Sequence, residues 1–200
     1  MSKANLKEKN KNKLSVRDYI TMALILVLGY VVRSVIGIPM SLSIVGNLFL
    51  DAVNALFLGT IFMLFYTKVN KKWAKMIFGI VLALIQAVSF WPSSIFLALG
   101  GIIAEIIWQK ADKEKFGTLV ACFTVQITAW YLGNYVPIIL FAGAMSIISE
   151  SYVEMYTAVR DFAAGPMFFV GLAAVIAGCI LGAFIGKLLL KKHFIKAGIV

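Results

Sequence analysis

Residues 126–137 read QITAWYLGNYVP and lie inside an apolar run, residues 116–141, that is long enough to cross a bilayer. A membrane-spanning helix needs about 20 residues. On a helix, Gln126, Trp130 and Asn134 lie four residues apart and therefore share a face. Two amides and an indole N–H facing lipid would each lack a hydrogen-bond partner. The stretch therefore predicts a membrane helix with one face turned towards protein or a wet cavity, as one wall of a binding site.

The composition of the chain is that of an integral membrane protein. Of its 200 residues, 62% are hydrophobic and 14% are charged, whereas soluble domains have about half and about a quarter. The mean hydropathy is +0.94. The net charge of +10 does not indicate a nucleic-acid-binding domain, because the basic residues lie between apolar runs and not on a soluble surface. Cys122 and Cys179 fall within predicted spans and lack the neighbours of a zinc or redox motif.

Apolar runs separated by polar turns predict an all-α integral membrane protein with six transmembrane helices. The predicted helices cover residues 19–38, 43–66, 73–90, 94–108, 116–141 and 166–190. Ser15 and Asp18 have the spacing of a capping box at the start of the first helix. That first run is too long for the apolar region of a signal peptide, so we interpret it as a membrane helix. We expect one membrane domain, residues 18–190, between two basic cytoplasmic tails, residues 1–17 and 191–200.

The basic residues predict the orientation of these helices. With alternating topology, 17 of the 19 lysines and arginines fall on one side. They lie in the N-terminal tail as far as Arg17, in the turns at residues 68–75 and 110–115, and in residues 187–196. Only Arg33 and Arg160 fall elsewhere. The positive-inside rule therefore places both termini in the cytoplasm, which agrees with an even number of spans.

A long connection, residues 144–164, is predicted to lie on the outer side. Its apolar residues recur at intervals of three and four, and its polar residues take the other face; the apolar ones are Met145, Ile148, Tyr152, Met155 and Val159. This pattern predicts an amphipathic helix at the outer interface, between the fifth and sixth spans. It is either a simple interfacial helix or a lid over a pocket.

Uncommon polar side chains collect in the outer halves of the predicted helices. We expect eight of them to bind a substrate: Arg33, Asn47, Asp51, Gln86, Trp91, Trp130, Asn134 and Tyr135. Ionisable groups at membrane depth are costly and mark functional sites by default. The alternatives are that Arg33 and Asp51 only neutralise each other, that Gln86 and Asn54 make hydrogen bonds between helices, and that Trp91 belongs to the interfacial aromatic belt.

Two further patterns concern contacts between helices or with partners. Ala174, Gly178, Gly182 and Gly186 form a small-residue stripe, which marks a packing seam for a helix of this chain or of a partner. Glu105, at the inner end of the fourth predicted helix, either meets a lysine or touches a partner from the cytoplasmic side. The sequence holds no catalytic triad, metal-ligand cluster or Walker-type phosphate loop. We therefore expect no enzymatic activity and no cofactor.

Three segments resemble a known family: GGIIAE at residues 100–105, NYVP at 134–137 and GKLLLKKHFIKAGI at 186–199. They are similar to the Trep-Strep family of S components, the substrate-binding membrane subunits of energy-coupling factor (ECF) transporters. The resemblance covers nearly all of the chain from the first helix onward.

The resemblance implies a six-helix protein of a bacterial plasma membrane that captures a vitamin-like or other micronutrient at its outer face. Such a subunit delivers its substrate by docking onto a transmembrane coupling protein that carries two ATPases. Related S components often dock through an alanine-x-x-x-alanine pair on the first helix. Thr21, Ile25 and Gly29 occupy the corresponding face here, so we expect docking through these three residues and Glu105. The alternative is a self-sufficient secondary carrier or small channel, which requires a polar path to the inner face.

Overall fold

The computed structural model describes residues 13–112, 115–141 and 153–194, and all regular structure in these ranges is helical. The six helices are α1 (Val16–Met40), α2 (Ile44–Lys68), α3 (Ala74–Lys110), α4 (Phe116–Phe141), α5 (Val153–Ala163) and α6 (Pro166–Leu189), and α6 continues into a π-helical turn, Leu190–Phe194. All but α5 are long and apolar enough to cross a membrane.

Several helix starts follow directly from local sequence. The capping box at α1 is present: the Ser15 N–H donates to Asp18 Oδ2 at 2.7 Å, and the Asp18 N–H donates to Ser15 Oγ. Ser43 caps α2 by accepting from the Gly46 N–H. Gly165 has a φ of +85° before Pro166 begins α6, a conformation that glycine adopts without strain. The side chains of Ser15, Asp18 and Ser43 accept from N–H groups that a helix start leaves unpaired.

The long helix α3 covers the two helices predicted at residues 73–90 and 94–108, which lie on either side of a break at Phe90. Its 37 residues would extend about 55 Å if straight, far more than the roughly 30 Å hydrocarbon core of a bilayer. It is not straight, because Phe90 has non-helical angles, φ −156° and ψ 88°. Pro92 follows two residues later, in the first turn of the second half, where a helix tolerates proline. The predicted interruption is therefore a single break within one helix and has no loop.

The two halves of α3 lie side by side and run in opposite directions. A Cβ built on Gly101 would come within 2.8 Å of Gly79 Cα. The Lys75 N–H donates to Glu105 Oε2 at 3.1 Å. In each of these pairs the two residues are equally far from Phe90 in sequence, as expected of a helical hairpin folded at that residue.

The small-residue stripe of α6 packs against α2 of the same chain. A Cβ on Gly178 or Gly182 would overlap the backbone of Ala52 or Ala55, and one on Gly186 would lie 2.8 Å from the Gly59 carbonyl oxygen. Ala174 packs partly buried against the core. The sequence did not specify which helix packs against this seam, and in the structure it is α2 of the same chain.

The helices define two ends of the bundle with a largely apolar core between them. We call one end the cavity end; there α1 and α4 finish, α2 begins and α3 breaks. At the opposite, lysine-rich end, α2 and α6 finish and α3 begins. Between the ends lies a buried cluster that we call the aromatic plug, formed by Phe62, Phe65, Tyr66, Phe78 and Phe123. Its rings pack closely, with centroids 4.3 Å apart for Phe65 and Phe78 and 4.9 Å for Phe62 and Phe123.

The helix α5 is the described part of the predicted amphipathic helix. Val159 and Ala163 on one face are buried, and Glu154 on another is exposed. Met145, Ile148 and Tyr152 lie outside the described residues, as does the side chain of Met155.

Candidate functional site

A cavity of about 370 Å³ lies at the cavity end, among α1, α2, α3 and α4, with α5 beside it. Its lining combines polar, aromatic and aliphatic side chains: Arg33, Ser41, Asn47, Leu50, Gln86, Ser89, Phe90, Asn134, Tyr135, Ile138 and Tyr156. Five of the eight predicted substrate-binding residues are among them. This size and mixed lining are typical of a small-molecule pocket.

An ion pair forms the charged part of the site. Arg33 Nη1 lies 2.6 Å from Asp51 Oδ1, and the two side chains are 11% and 1% exposed. The other carboxylate oxygen of Asp51 accepts from Asn134 Nδ2 at 3.2 Å. Asp51 is therefore buried behind the cavity wall with both oxygens bonded. The predicted alternative, that Arg33 and Asp51 neutralise each other, describes this geometry.

The guanidinium of Arg33 is held flat and keeps free donors. Its Cζ lies 3.7 Å from the centroid of the Trp130 ring, a distance at which a cation is attracted to an aromatic face. Arginine has five N–H donors, and the bond to Asp51 is the one hydrogen bond that Arg33 makes to the described residues. Arg33 is one of the lining residues, which makes its remaining donors candidates for bonds to an acceptor in the cavity.

A second polar contact joins α2 and α4. The Tyr135 hydroxyl donates to Asn47 Oδ1 at 2.7 Å. Because this bond occupies the Asn47 oxygen, it leaves the Asn47 amide hydrogens as donors at the cavity. Asn134 and Gln86 contribute two further amides to the lining. The cavity thus presents several amides, a phenol and part of a guanidinium.

Three sequence-predicted residues lie away from the lining. Asp51 is behind Arg33, as described. Trp130 is buried beneath the guanidinium, and its indole N–H has no hydrogen-bond partner among the described residues. Trp91 is 54% exposed on the outer surface of α3, as the aromatic-belt alternative predicts.

The first residue of the opening stretch, Gln126, has a different role. Its Nε2 donates to the Leu97 carbonyl at 3.2 Å, so it joins α4 to the second half of α3 and does not reach the cavity. Asn54 is fully buried on α2, but neither of its amide atoms has a hydrogen-bond partner in the described parts of the chain. The hydrogen bond between helices expected for Asn54 is therefore not found there.

The predicted docking residues on α1 face α2. Ile25 is buried, and a Cβ on Gly29 would touch Leu58 and Ile61 of α2 at 3.8 Å. Thr21 lies at the edge of a groove between these helices at the lysine-rich end. Ile25 is therefore covered within the chain, whereas Gly29 is half-buried.

Glu105 is 2% exposed and serves the chain itself. Its Oε1 accepts from the Trp73 N–H at 2.7 Å and from Gln109 Nε2 at 2.8 Å, and its Oε2 accepts from the Lys75 N–H. It thereby caps the N-terminus of α3 from across the hairpin, where a carboxylate is favourable. Its bond to Lys75 uses the backbone N–H of that residue and is not an ion pair, and the carboxylate is buried.

Some lining residues were not predicted from the sequence. Ser41 follows α1, Phe90 marks the break in α3, and Tyr156 comes from α5. The rings of Phe90 and Tyr156 lie 5.9 Å apart, so the break in α3 meets α5 at the cavity. The signals for them were the Trp91-Pro92 dipeptide and the apolar face of the amphipathic helix, but neither signal shows which side chain faces inward.

These features define a class: a polytopic helical membrane protein with a blind polar cavity near one end. The family follows from comparison with known proteins. A family model described as hypothetical bacterial integral membrane protein (Trep_Strep) matches residues 16–196, and the chain belongs to that family. No curated protein and no solved structure matches the chain.

Proposed function

We propose that this protein is the substrate-binding S component of an ECF-type importer, capturing a vitamin-like or other small micronutrient at the outer face of a bacterial plasma membrane. The observation that carries the proposal is a polar cavity of about 370 Å³ with free Arg33 donors. It supports a subunit that binds a small polar molecule. Delivery would require the coupling protein and two ATPases, because the sequence has no ATP-binding motif.

The aromatic plug favours this proposal over a channel or secondary carrier. Either alternative needs a polar route from the cavity to the lysine-rich end. The core between the two ends is instead filled by packed rings of Phe62, Phe65 and Phe78, all buried. A subunit that hands its cargo to a partner complex needs no such route of its own.

The chemistry of the wall favours a ligand of little net charge with several hydrogen-bonding groups. Asp51 compensates the charge of Arg33, so binding a full anion would set the ligand in competition with Asp51. The amides of Asn47, Gln86 and Asn134 suit carbonyl, hydroxyl or ring-nitrogen groups. Phe90, Tyr135 and Tyr156 add aromatic surface for a partly planar molecule.

We also propose six membrane crossings with both termini in the cytoplasm. The support is the hairpin of α3, whose halves lie antiparallel about Phe90, so each half is a candidate for one crossing. The lysine-rich end then faces the cytoplasm, as the positive-inside rule requires, and the cavity opens outward beside α5.

Binding by the purified protein tests the site. Small molecules that co-purify with the wild-type chain are identified by mass spectrometry and then titrated against variants. We expect Asn134→Ala and Tyr135→Phe each to weaken binding about tenfold, the effect of losing roughly one buried hydrogen bond. Tyr131→Phe is the matched control: the Tyr131 hydroxyl donates to the Phe168 carbonyl at 2.8 Å, and Tyr131 is absent from the cavity wall.

Equal affinity in all three variants, with each still folded, would contradict the site. Transport is a separate measurement. Uptake into liposomes is expected only when the chain is reconstituted with a coupling protein and ATPases. Uptake by the chain alone would instead support a secondary carrier or channel.

A further inference from the structure

A second cavity, far from the first, lies at the lysine-rich end among α2, α4 and α6. We call it the inner groove; it measures about 310 Å³ and is lined by Met63, Thr67, Phe116, Leu119, Lys187, Leu190 and Lys191. Apart from the two lysines and Thr67, its wall is apolar. The Thr67 hydroxyl bonds the Met63 and Leu64 carbonyls of its own helix. The groove therefore offers little to a small polar molecule but suits a hydrocarbon chain.

The two lysines at the groove lack the acidic partners that some lysines at the same end have. Lys71 pairs with Asp18 at 2.7 Å, and Lys115 pairs with Asp112 at 3.7 Å. Lys187 and Lys191, in contrast, form no salt bridge with any described residue. They lie four residues apart and so project from one side of the helix, and Lys187 Nζ lies 4.4 Å from the Phe116 ring centroid. Two positive charges without an acidic partner among the described residues thus border an apolar groove.

The position of the groove brings both features to the membrane interface. It lies at the end of α2 and at the junction of α6 with the π-helical turn, where Leu190 is buried against the groove and Lys191 is exposed beside it. Next to it, Phe184, Leu188 and Leu189 are exposed, as expected of a lipid-facing surface. An occupant that reaches the groove through this surface has an apolar part for the wall and a negative group for the lysines.

We propose that the inner groove is a binding site for one anionic glycerophospholipid, with an acyl chain against Leu119 and Leu190 and the phosphate at Lys187 and Lys191. Charge complementarity selects this occupant over a zwitterionic lipid, because basic side chains at the cytoplasmic end of membrane helices attract anionic headgroups. The site is independent of the outer cavity and of the substrate bound there.

Native mass spectrometry of the full chain tests the proposal, with phosphatidylglycerol and phosphatidylcholine of identical acyl chains titrated separately. We expect one phosphatidylglycerol to bind at least tenfold more tightly than phosphatidylcholine. In Lys187→Gln/Lys191→Gln, affinity for phosphatidylglycerol should fall by about 25-fold, roughly fivefold for each lysine. Lys110→Gln/Lys192→Gln removes two exposed lysines that do not line the groove, and it should change the affinity less than twofold.

A variant of the apolar wall tests the same site without altering charge. Leu119→Trp should fill the groove and lower the affinity for both lipids. Equal binding of the two lipids by the wild-type chain would overturn the proposal, and this comparison needs no variant to fold. Equal losses of phosphatidylglycerol affinity in the two double lysine variants would also overturn it. The lipid would then be attracted by the net charge of the protein and not by this groove. A co-purifying protein that depends on Lys187 and Lys191, with no bound lipid, would do the same.

Discussion

Arg33 and Asp51 form an ion pair at the cavity that is largely withdrawn from water. Asp51 is 1% exposed, and its oxygens accept from Arg33 and Asn134. A buried charge is tolerated only when its partner and its hydrogen bonds are in place. Trp130 adds a third contact by lying under the guanidinium. The pair therefore fixes the position of Arg33, so that its free donors keep a constant direction.

A double-mutant cycle measures this coupling. Asp51→Asn should lower the free energy of unfolding by about 3 kcal/mol, because it leaves the Arg33 charge buried without its counterion. Arg33→Gln should have a similar effect through Asp51. The double variant should lose less than half the sum of the single losses. Unfolding in mixed micelles gives the three values, and strictly additive losses would show that the two residues act separately.

Single residues also show why part of the site was predictable and part was not. Gln126 and Asn134 share a face at intervals of four, but eight residues on a helix of 3.6 residues per turn turn them apart by about 80°. That drift is enough to aim Gln126 at α3 and Asn134 at Asp51 of α2. The bond between Tyr135 and Asn47 was beyond prediction, because it depends on which helices are neighbours.

At the scale of helices, the glycines of α6 set the distance to α2. Gly182→Ala would place a Cβ against the Ala55 carbonyl and the Cα of Leu56, neither of which can move without shifting a helix. We expect a loss of about 1–3 kcal/mol in unfolding free energy. Gly117→Ala is the matched control, since no atom lies within 4 Å of its Cβ position. It should be neutral or stabilising, by up to about 1 kcal/mol. Equal effects of the two substitutions would contradict close packing at the seam.

The hairpin of α3 depends on Glu105 at its open end. Glu105→Ala removes the acceptor for the N–H groups of Trp73 and Lys75. We expect a loss of about 2 kcal/mol, the cost of leaving buried donors unpaired, and faster hydrogen exchange of both amides. Glu154→Ala, at an exposed position of α5, should leave stability unchanged. Unaltered exchange at residues 73 and 75 would show that the cap is dispensable.

Helix boundaries were largely readable because their signals are local. Residues 116–141 form α4 as predicted, and Ser15 and Ser43 act as caps. The predicted gap between the two halves of α3 is wider than the observed break at Phe90, because a proline marks an interruption without giving its length. The seam on α6 was recognised, but its partner was not, since a stripe of small residues is equally suited to any approaching helix.

At the scale of the whole molecule, the proposed topology predicts on which side of the membrane three exposed positions lie. In a background of Cys122→Ala/Cys179→Ala, single cysteines replace the exposed residues Asn70, Lys110 and Leu42. With six crossings, a membrane-impermeant maleimide should label positions 70 and 110 only from the cytoplasmic side and position 42 only from outside. Labelling of positions 70 and 110 from opposite sides would mean that α3 crosses once, giving five crossings.

The overall class was predictable because composition alone requires a membrane solvent, and the concentration of lysines at one end follows from the chain order. The cavity was predictable in outline, since costly polar residues on different helices must contact each other or water. The aromatic plug was not predictable, because it consists of ordinary apolar residues such as Phe62 and Phe123, and nothing in their spacing distinguishes them from lipid-facing ones.

The cap formed by Glu105 has a consequence for how the protein is made. The helix that begins at Ala74 keeps unpaired N–H groups at its start until residue 105 has been synthesised. Until then, the N–H groups of Trp73 and Lys75 lack the Glu105 acceptor. We therefore expect the nascent segment to wait at the membrane entrance and to enter together with its second half, as a preassembled pair. We thus expect the order in which the two halves of α3 enter the membrane to depend on the Glu105 carboxylate.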